Sequence, residues 1–483
     1  MARLVIVSNR VALPGEKRAG GLAVAVKAAL RGRSGVWCGW SGRTTEETPE
    51  APEVIDGRNI TYVALDLSVA DHQEYYNGFA NSVLWPLLHY RVDLQEYTRS
   101  DLSGYMRVNS YFADQVSKIL QPDDIIWVHD YHLMRLALEL RARGHDNPIG
   151  FFLHIPCPPP DILQALPKHA ETLGALAAFD LVGFQTDNDT DNYGKYLETR
   201  GASPSRGGRF FEIEGRRVQI DTFPVGIETA IYARAARAAA HSPFIADVIA
   251  SLGGRKLLLG VDRLDYSKGI VQRLQAFEHL LEERPQWRGA ATFLQISPKS
   301  REHAAGYKEM DDTVTALVGH INGQYGEAAW TPIRYVNRSY SRKQLAGIYR
   351  CAQAALVTPL RDGMNLVAKE FVAAQDETDP GVLILSQFAG AASELDGALI
   401  VNPHEKEGVS AAIERALTMP RDERIARHSR MMERVSDYDV TRWASAFVAR
   451  LTEARQRWSL IDGIRHIFTP RTSDARGPGR RIV

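Results

Sequence analysis

Short apolar runs recur along this chain, each closed by a polar residue or a turn and followed by a longer stretch with helical spacing. In the first half they are Leu4–Val7, Ile125–His129, Ile149–His154, Leu181–Gln185 and Thr222–Val225. In the second they are Lys256–Val261, Thr292–Ile296, Ile333–Val336, Ala354–Thr358, Val382–Leu385 and Leu399–Val401. Runs this short and this continuously apolar suit strands buried on both faces, and their alternation with helices builds parallel sheets covered on two sides. Two series predict two doubly wound, Rossmann-like α/β domains, for which 483 residues leave ample room.

The Ala- and Arg-rich stretch Arg234–His241 lies between the series. A division is expected near it, giving an N-terminal domain over 1–238 and a C-terminal domain over 239–439. Helical spacing resumes at Val440–Trp458. It predicts a helix over 440–465 that returns to the first domain. From Thr469 the chain is rich in Arg, Gly and Pro without apolar periodicity, so 466–483 is expected to be a disordered tail.

Charge and cysteine usage narrow the partners. The 58 Lys and Arg balance 58 Asp and Glu, which leaves no electrostatic footprint for nucleic acid or an anionic membrane. Leu4–Val7 is too short for the apolar core of a signal peptide, and no run approaches the roughly 20 apolar residues of a membrane span. Cys38, Cys157 and Cys351 are far apart and form no C-x-x-C pair, which argues against a disulfide framework and a thiolate zinc site. A cytoplasmic enzyme is expected.

Ligands of open parallel sheets bind at the carboxyl ends of strands, so the polar residues just after the runs are the candidates. Gly20-Gly21 precedes a helical stretch and is either an anion cradle or plain turn geometry; it matches neither G-x-G-x-x-G nor the Walker pattern. Arg263 and Lys268, five residues apart after Lys256–Val261, suit a diphosphate, or else pair with Asp262 and Asp265 in a surface loop. After Ala354–Thr358 comes Arg361-Asp362-Gly363-Met364-Asn365-Leu366-Val367-Ala368-Lys369-Glu370. There the amides of Asn365, Leu366 and Val367 could meet a phosphate and Glu370 a ribose, or the segment is simply a capped helix start. His129, Asp130 and His132 raise the question of a metal, but adjacent residues of an extended segment point to opposite faces and chelate poorly. His154 is either a satisfied core histidine or a hydrogen-bonding partner of a polar ligand. Tyr76 and Trp85 could stack on a sugar or belong to the core, and Arg301 supplies another cation near a strand end.

Taken in order and spacing, several segments resemble the trehalose-6-phosphate synthase family. They are Ser8-Asn9-Arg10, Gly20-Gly21-Leu22, Trp37-x-Gly-Trp-Ser-Gly, His129-Asp130-Tyr131-His132, Phe152-Leu153-His154-Ile155-Pro156, Arg263 to Gly269 and Thr358 to Glu370. The resemblance runs from Val5 to about Trp458. It implies a retaining glucosyltransferase of GT-B architecture, with two domains facing across a cleft, acting without metal or other cofactor on UDP-glucose and glucose 6-phosphate. It further implies that Arg10, Tyr76, Trp85, Asp130 and Arg301 form the glucose 6-phosphate pocket. Gly20, Gly21, Arg263, Lys268, Tyr340, Asn365, Leu366, Val367 and Glu370 would hold the nucleotide diphosphate. His154 and Asp362 would contact the transferred glucose, so that Asp130, His154, Arg263, Lys268 and Asp362 make up the catalytic set. A homo-oligomer, dimer or tetramer, is expected. The alternatives are a sister transferase using ADP- or GDP-glucose or glycerol 3-phosphate, and a non-catalytic sugar-phosphate sensor.

Overall fold

The computed structural model describes residues 2–15, 21–205, 207–298 and 307–468. Gly20, Arg301 and the tail from Thr469 therefore lie outside the described residues. In the first half the strands are β1 (Leu4–Arg10), β2 (Gly35–Thr45), β3 (Glu53–Asp56), β4 (Ile60–Ser68), β5 (Ile125–His129), β6 (Ile149–Phe152), β7 (Leu181–Phe184), β8 (Ser203–Pro204), β9 (Phe210–Ile213) and β10 (Arg216–Thr222). In the second they are β11 (Lys256–Val261), β12 (Ala291–Ile296), β13 (Ile333–Val336), β14 (Ala354–Val357), β15 (Val382–Ser386) and β16 (Leu399–Val401). The helices that bear on function are α1 (Gly21–Ala29), α2 (Thr229–Ala240), α3 (Leu366–Ala374) and α4 (Val440–Phe468).

Among the described residues these strands form a ten-stranded sheet in the order β3-β4-β2-β1-β5-β6-β7-β10-β9-β8 and a six-stranded sheet in the order β13-β12-β11-β14-β15-β16. All pairings are parallel except β3 with β4, β9 with β10 and β8 with β9. In both sheets the order runs outward in two directions from one place, between β1 and β5 in the first and between β11 and β14 in the second. Crossovers on either side of such a reversal cover opposite faces, which opens a crevice at the strands' carboxyl ends. Those ends are Arg10 and His129-Asp130 in one sheet, and Asp262-Arg263 and Arg361-Asp362 in the other.

Three expectations shift in detail. The run placed at Thr222–Val225 is the exit of β10, whose buried Val218 and Ile220 alternate with polar neighbours. The stretch Arg234–His241 forms the end of α2 and its C-cap; the helix buries Tyr232 and Ala236 and packs on the helices Arg342–Cys351 and Leu366–Ala374. The last helix extends to Phe468.

Helix α4 lies on the first sheet because two strands lack side chains there. A Cβ on Gly150 of β6 or Gly183 of β7 would sit 2.7 or 2.8 Å from the Phe447 ring. That ring stacks on Trp127 with centroids 4.4 Å apart, and Trp443 packs beside it. The two crossings between the halves are tied together: Val440 N–H donates to the Ile227 carbonyl at 3.1 Å, and Thr229 Oγ1 to the Val435 carbonyl at 2.8 Å. Among the described residues no helix is long and apolar enough to cross a membrane.

Candidate active site between the two sheets

Cations gather beyond β11. Asp265 caps a short turn by accepting from Ser267 N–H at 3.0 Å, which places Lys268 at the cleft. Beneath the loop Arg273 is fully buried and donates to Asp262 at 2.6 Å, Thr358 Oγ1 at 3.0 Å, Gln295 Oε1 at 3.1 Å and the Lys268 carbonyl at 3.1 Å. This framework fixes the loop from below, while the Arg263 side chain reaches outward. Lys268 Nζ lies 2.5 Å from Asp362 Oδ2, and Asn365 Nδ2 donates to the same oxygen at 3.0 Å. The alternative of a local pair with Asp262 or Asp265 gives way to this longer-range pair: Arg273 donates to Asp262, while Ser267 and Tyr307 donate to Asp265.

The loop after β14 is shaped for close approach. Gly363 lies so near the other half that a Cβ would be 2.3 Å from the His154 carbonyl oxygen. Asn365 adopts φ 73° and caps α3, accepting from Ala368 N–H at 3.3 Å. The first-turn amides of a helix have no intrahelical acceptor, so those of Leu366 and Val367 are available at a cavity both residues line. Four residues on, Glu370 accepts from the Tyr232 hydroxyl at 3.3 Å. Burial pushes its carboxyl up to about 7, opposed by Arg342.

The first half presents an aromatic wall. From His72 to Leu84 the chain winds into a wide helix with i→i+5 bonding, visible where Trp85 N–H reaches the Ala80 carbonyl. This wide turn aims Tyr76 between His72 and His132, with centroids 5.3 and 5.8 Å away, and beside Trp40 at 5.7 Å. The Arg10 guanidinium lies 5.9 Å from the Trp40 ring. Asp130 sits at φ 73°, a conformation a non-glycine residue adopts only at a cost of about 1–3 kcal/mol, and its carboxylate accepts from the His154 N–H at 3.3 Å. Across the gap Arg263 lies over Trp85, 5.7 Å from the ring centroid.

The ≈ 510 Å³ cavity between the sheets is lined by His154, Arg263, Lys268, Tyr340, Asp362 and Asn365, as well as by Leu366, Val367 and Glu370. It thus gathers most of the expected donor set with both expected glucose contacts. Gly21 begins α1, whose Leu22 also lines the cavity. Arg10, Tyr76, Trp85 and Asp130 lie at the first sheet's strand ends and the wall beside them. Sequence reasoning missed Trp40, His72 and His132 as partners of Tyr76, and Tyr232 and Arg342 around Glu370. Trp40 was signalled only as part of the Trp37-x-Gly-Trp motif. Among the described residues no three His, Cys, Asp or Glu side chains are grouped to hold a metal ion.

Two Rossmann-like sheets with their order reversals turned on one cleft define a glycosyltransferase of GT-B architecture. The chain belongs to glycosyltransferase family 20, whose model matches residues 6–453. A trehalose-6-phosphate synthase of Sinorhizobium fredii is 50% identical over 462 residues, covering 95% of this chain and all of the relative. The crystal structure of an α,α-trehalose-phosphate synthase (UDP-forming) from Burkholderia vietnamiensis superposes with a TM-score of 0.93 at 46% identity, covering 95% of this chain and 98% of the other. A Burkholderia xenovorans enzyme of the same description, solved in complex with glucose-6-phosphate, gives 0.91 at 45% identity over 93% of this chain and all of the other.

Proposed function

We propose that this chain transfers glucose from UDP-glucose to the anomeric hydroxyl of glucose 6-phosphate with retention, forming α,α-trehalose 6-phosphate and UDP. The observation that carries the reading is the facing of two strand-order reversals across one cleft, with Arg263 of one sheet lying over Trp85 of the other. Relatives at about half identity over nearly the whole chain carry the same activity in their names.

In this reading Arg10 and Arg301 hold the acceptor phosphate, where charge-assisted bonds are strongest. Tyr76, Trp85 and Asp130 shape the sugar pocket. The amides of Leu366 and Val367 and the chain at Gly20-Gly21 meet the diphosphate, with Asn365 shaping the turn. Glu370 accepts from the ribose hydroxyls, and Tyr340 lies by the base. Arg263 and Lys268 stabilise the charge that grows on the departing diphosphate, the kind of preorganised electrostatic term that dominates many enzymic rates. Asp362 already engages Lys268 and Asn365, and positions glucose hydroxyls with His154. The acceptor attacks on the face the diphosphate leaves, and the departing phosphate oxygen takes the acceptor proton.

UDP-, ADP- and GDP-glucose, each offered with glucose 6-phosphate or glycerol 3-phosphate, test the assignment. Release of UDP only with UDP-glucose and glucose 6-phosphate is expected. Preference for another pair makes the chain a sister transferase, and no nucleotide release from any pair makes it a sensor.

A further inference from the structure

The histidine at the glucose end of the cavity has a buried partner. His129 ends β5 and His154 follows β6, the adjacent strand, so the two rings meet with His129 Nδ1 3.0 Å from His154 Nε2. Trp127 packs on His129 with centroids 4.6 Å apart and Phe152 on His154 at 4.7 Å, while Trp443 from α4 closes the cluster 6.1 Å from His154. Burial pushes His154 down to about 3 and His129 well below the usual imidazole range, so both rings are neutral.

A neutral imidazole carries one proton on two nitrogens. A 3.0 Å contact between two ring nitrogens therefore holds one hydrogen, and its owner fixes both tautomers. If His154 Nε2 owns it, His154 Nδ1 is a bare acceptor and His129 must carry its proton on Nε2. If His129 Nδ1 owns it, His154 carries its proton on Nδ1 and His129 Nε2 is bare. Among the described residues His129 Nε2 is buried without a hydrogen-bond partner. A buried N–H without an acceptor is the rarer orphan in folded proteins, and an under-satisfied acceptor is the commoner one.

We infer that His129 is a positioning residue that sets the tautomer of His154, so that His154 offers an N–H rather than a lone pair to an oxygen of the transferred glucose. This rests on the reading of His154 as a contact to that sugar. With Nε2 turned to His129, Nδ1 is the nitrogen left to meet a ligand in the cavity His154 lines.

The test has a spectroscopic and a kinetic arm. In protein labelled with 15N-histidine, long-range proton–nitrogen correlation at neutral pH should show His129 protonated at Nδ1, and His154 protonated at Nδ1 and bare at Nε2. The reverse pattern overturns the inference, and this arm needs no turnover. In the kinetic arm, His129→Phe keeps a ring but removes the donor; kcat should fall about tenfold, the size of one hydrogen bond, with the KM for UDP-glucose changed less than about twofold. His129→Asn places an amide N–H near the former Nδ1 and should recover most of the loss. A His129→Phe enzyme as fast as the parent, or a His129→Asn enzyme no better than it, also overturns the inference. If the parent itself releases no UDP, the functional reading fails, while the tautomer is still decided by the nitrogen shifts.

Discussion

Replacing Arg273 with Met should be far more damaging than its distance from the reacting groups suggests. The guanidinium is fully buried, and its four bonds join Asp262, Gln295, Thr358 and the Lys268 carbonyl. Methionine fills much of the volume but leaves the Asp262 carboxylate, itself 3% exposed, without its hydrogen-bonded counter-charge and with only the more distant Lys268. Breaking a buried pair from one side costs about 3–5 kcal/mol, because the remaining ion has lost its water and its partner. At roughly 2–4 °C per kcal/mol for a unit of 150–250 residues, the melting temperature should drop by roughly 6–20 °C. Differential scanning fluorimetry reads that shift directly. Adding Asp262→Asn removes the stranded charge, so the double variant should melt higher than Arg273→Met alone, with a coupling of about 2 kcal/mol, within the range of contacting pairs. The same change frees the loop bearing Arg263 and Lys268, so UDP should bind more weakly. A drop under about 2 °C, or a double variant with the summed loss of the single ones, would refute the argument that Arg273 is the buried counter-charge of this loop.

Other perturbations separate the remaining parts of the site. Glu370, raised to about 7 by burial, is largely protonated at pH 6 and ionised at pH 8. Ribose hydroxyls donate better to the carboxylate, so UDP binding should tighten as pH rises through about 7; Glu370→Gln should bind about tenfold more weakly at pH 8 and lose the pH dependence, as titration calorimetry can check. Asp362→Asn weakens the grip on Lys268 and, in the proposed site, would loosen the sugar, so kcat should fall roughly 100-fold through lost positioning. Mass spectrometry of quenched turnover by the parent should find no glucosylated protein, and a glucosyl ester trapped on Asp130 or Asp362 would contradict front-face attack. Activity should survive EDTA, since in the proposed site cations of the chain itself would meet the diphosphate; strict dependence on added Mg²⁺ or Mn²⁺ would remove Arg263 and Lys268 from that role.

The parallel centre of both sheets was legible because strands buried on two faces must be continuously apolar, as β5, β11 and β15 are. Strand β2 was not, since Gly35, Gly39 and Gly42 interrupt its pattern where it presses against β1; a Cβ on Gly39 would lie 2.7 Å from the Ser8 carbonyl oxygen. The wide helix at His72–Leu84 leaves no trace in a 3.6-residue period, so Tyr76 could be singled out by type but not given its neighbours. The cations and glycines of the donor loops stood out because strand ends are where a parallel sheet places ligands. Their pairing did not: Lys268 meets Asp362 from 94 positions away, and Tyr232 reaches Glu370 from 138. Such contacts depend on which strands and helices pack side by side in the second half rather than on local pattern.

The most direct measurement follows the anomeric proton and phosphorus signals while the purified protein turns over UDP-glucose with glucose 6-phosphate. One α,α-linked trehalose 6-phosphate should appear for each UDP released, without free glucose. Release of UDP with free glucose, a β-linked product, or an unchanged mixture would contradict a retaining transfer to the anomeric hydroxyl of glucose 6-phosphate.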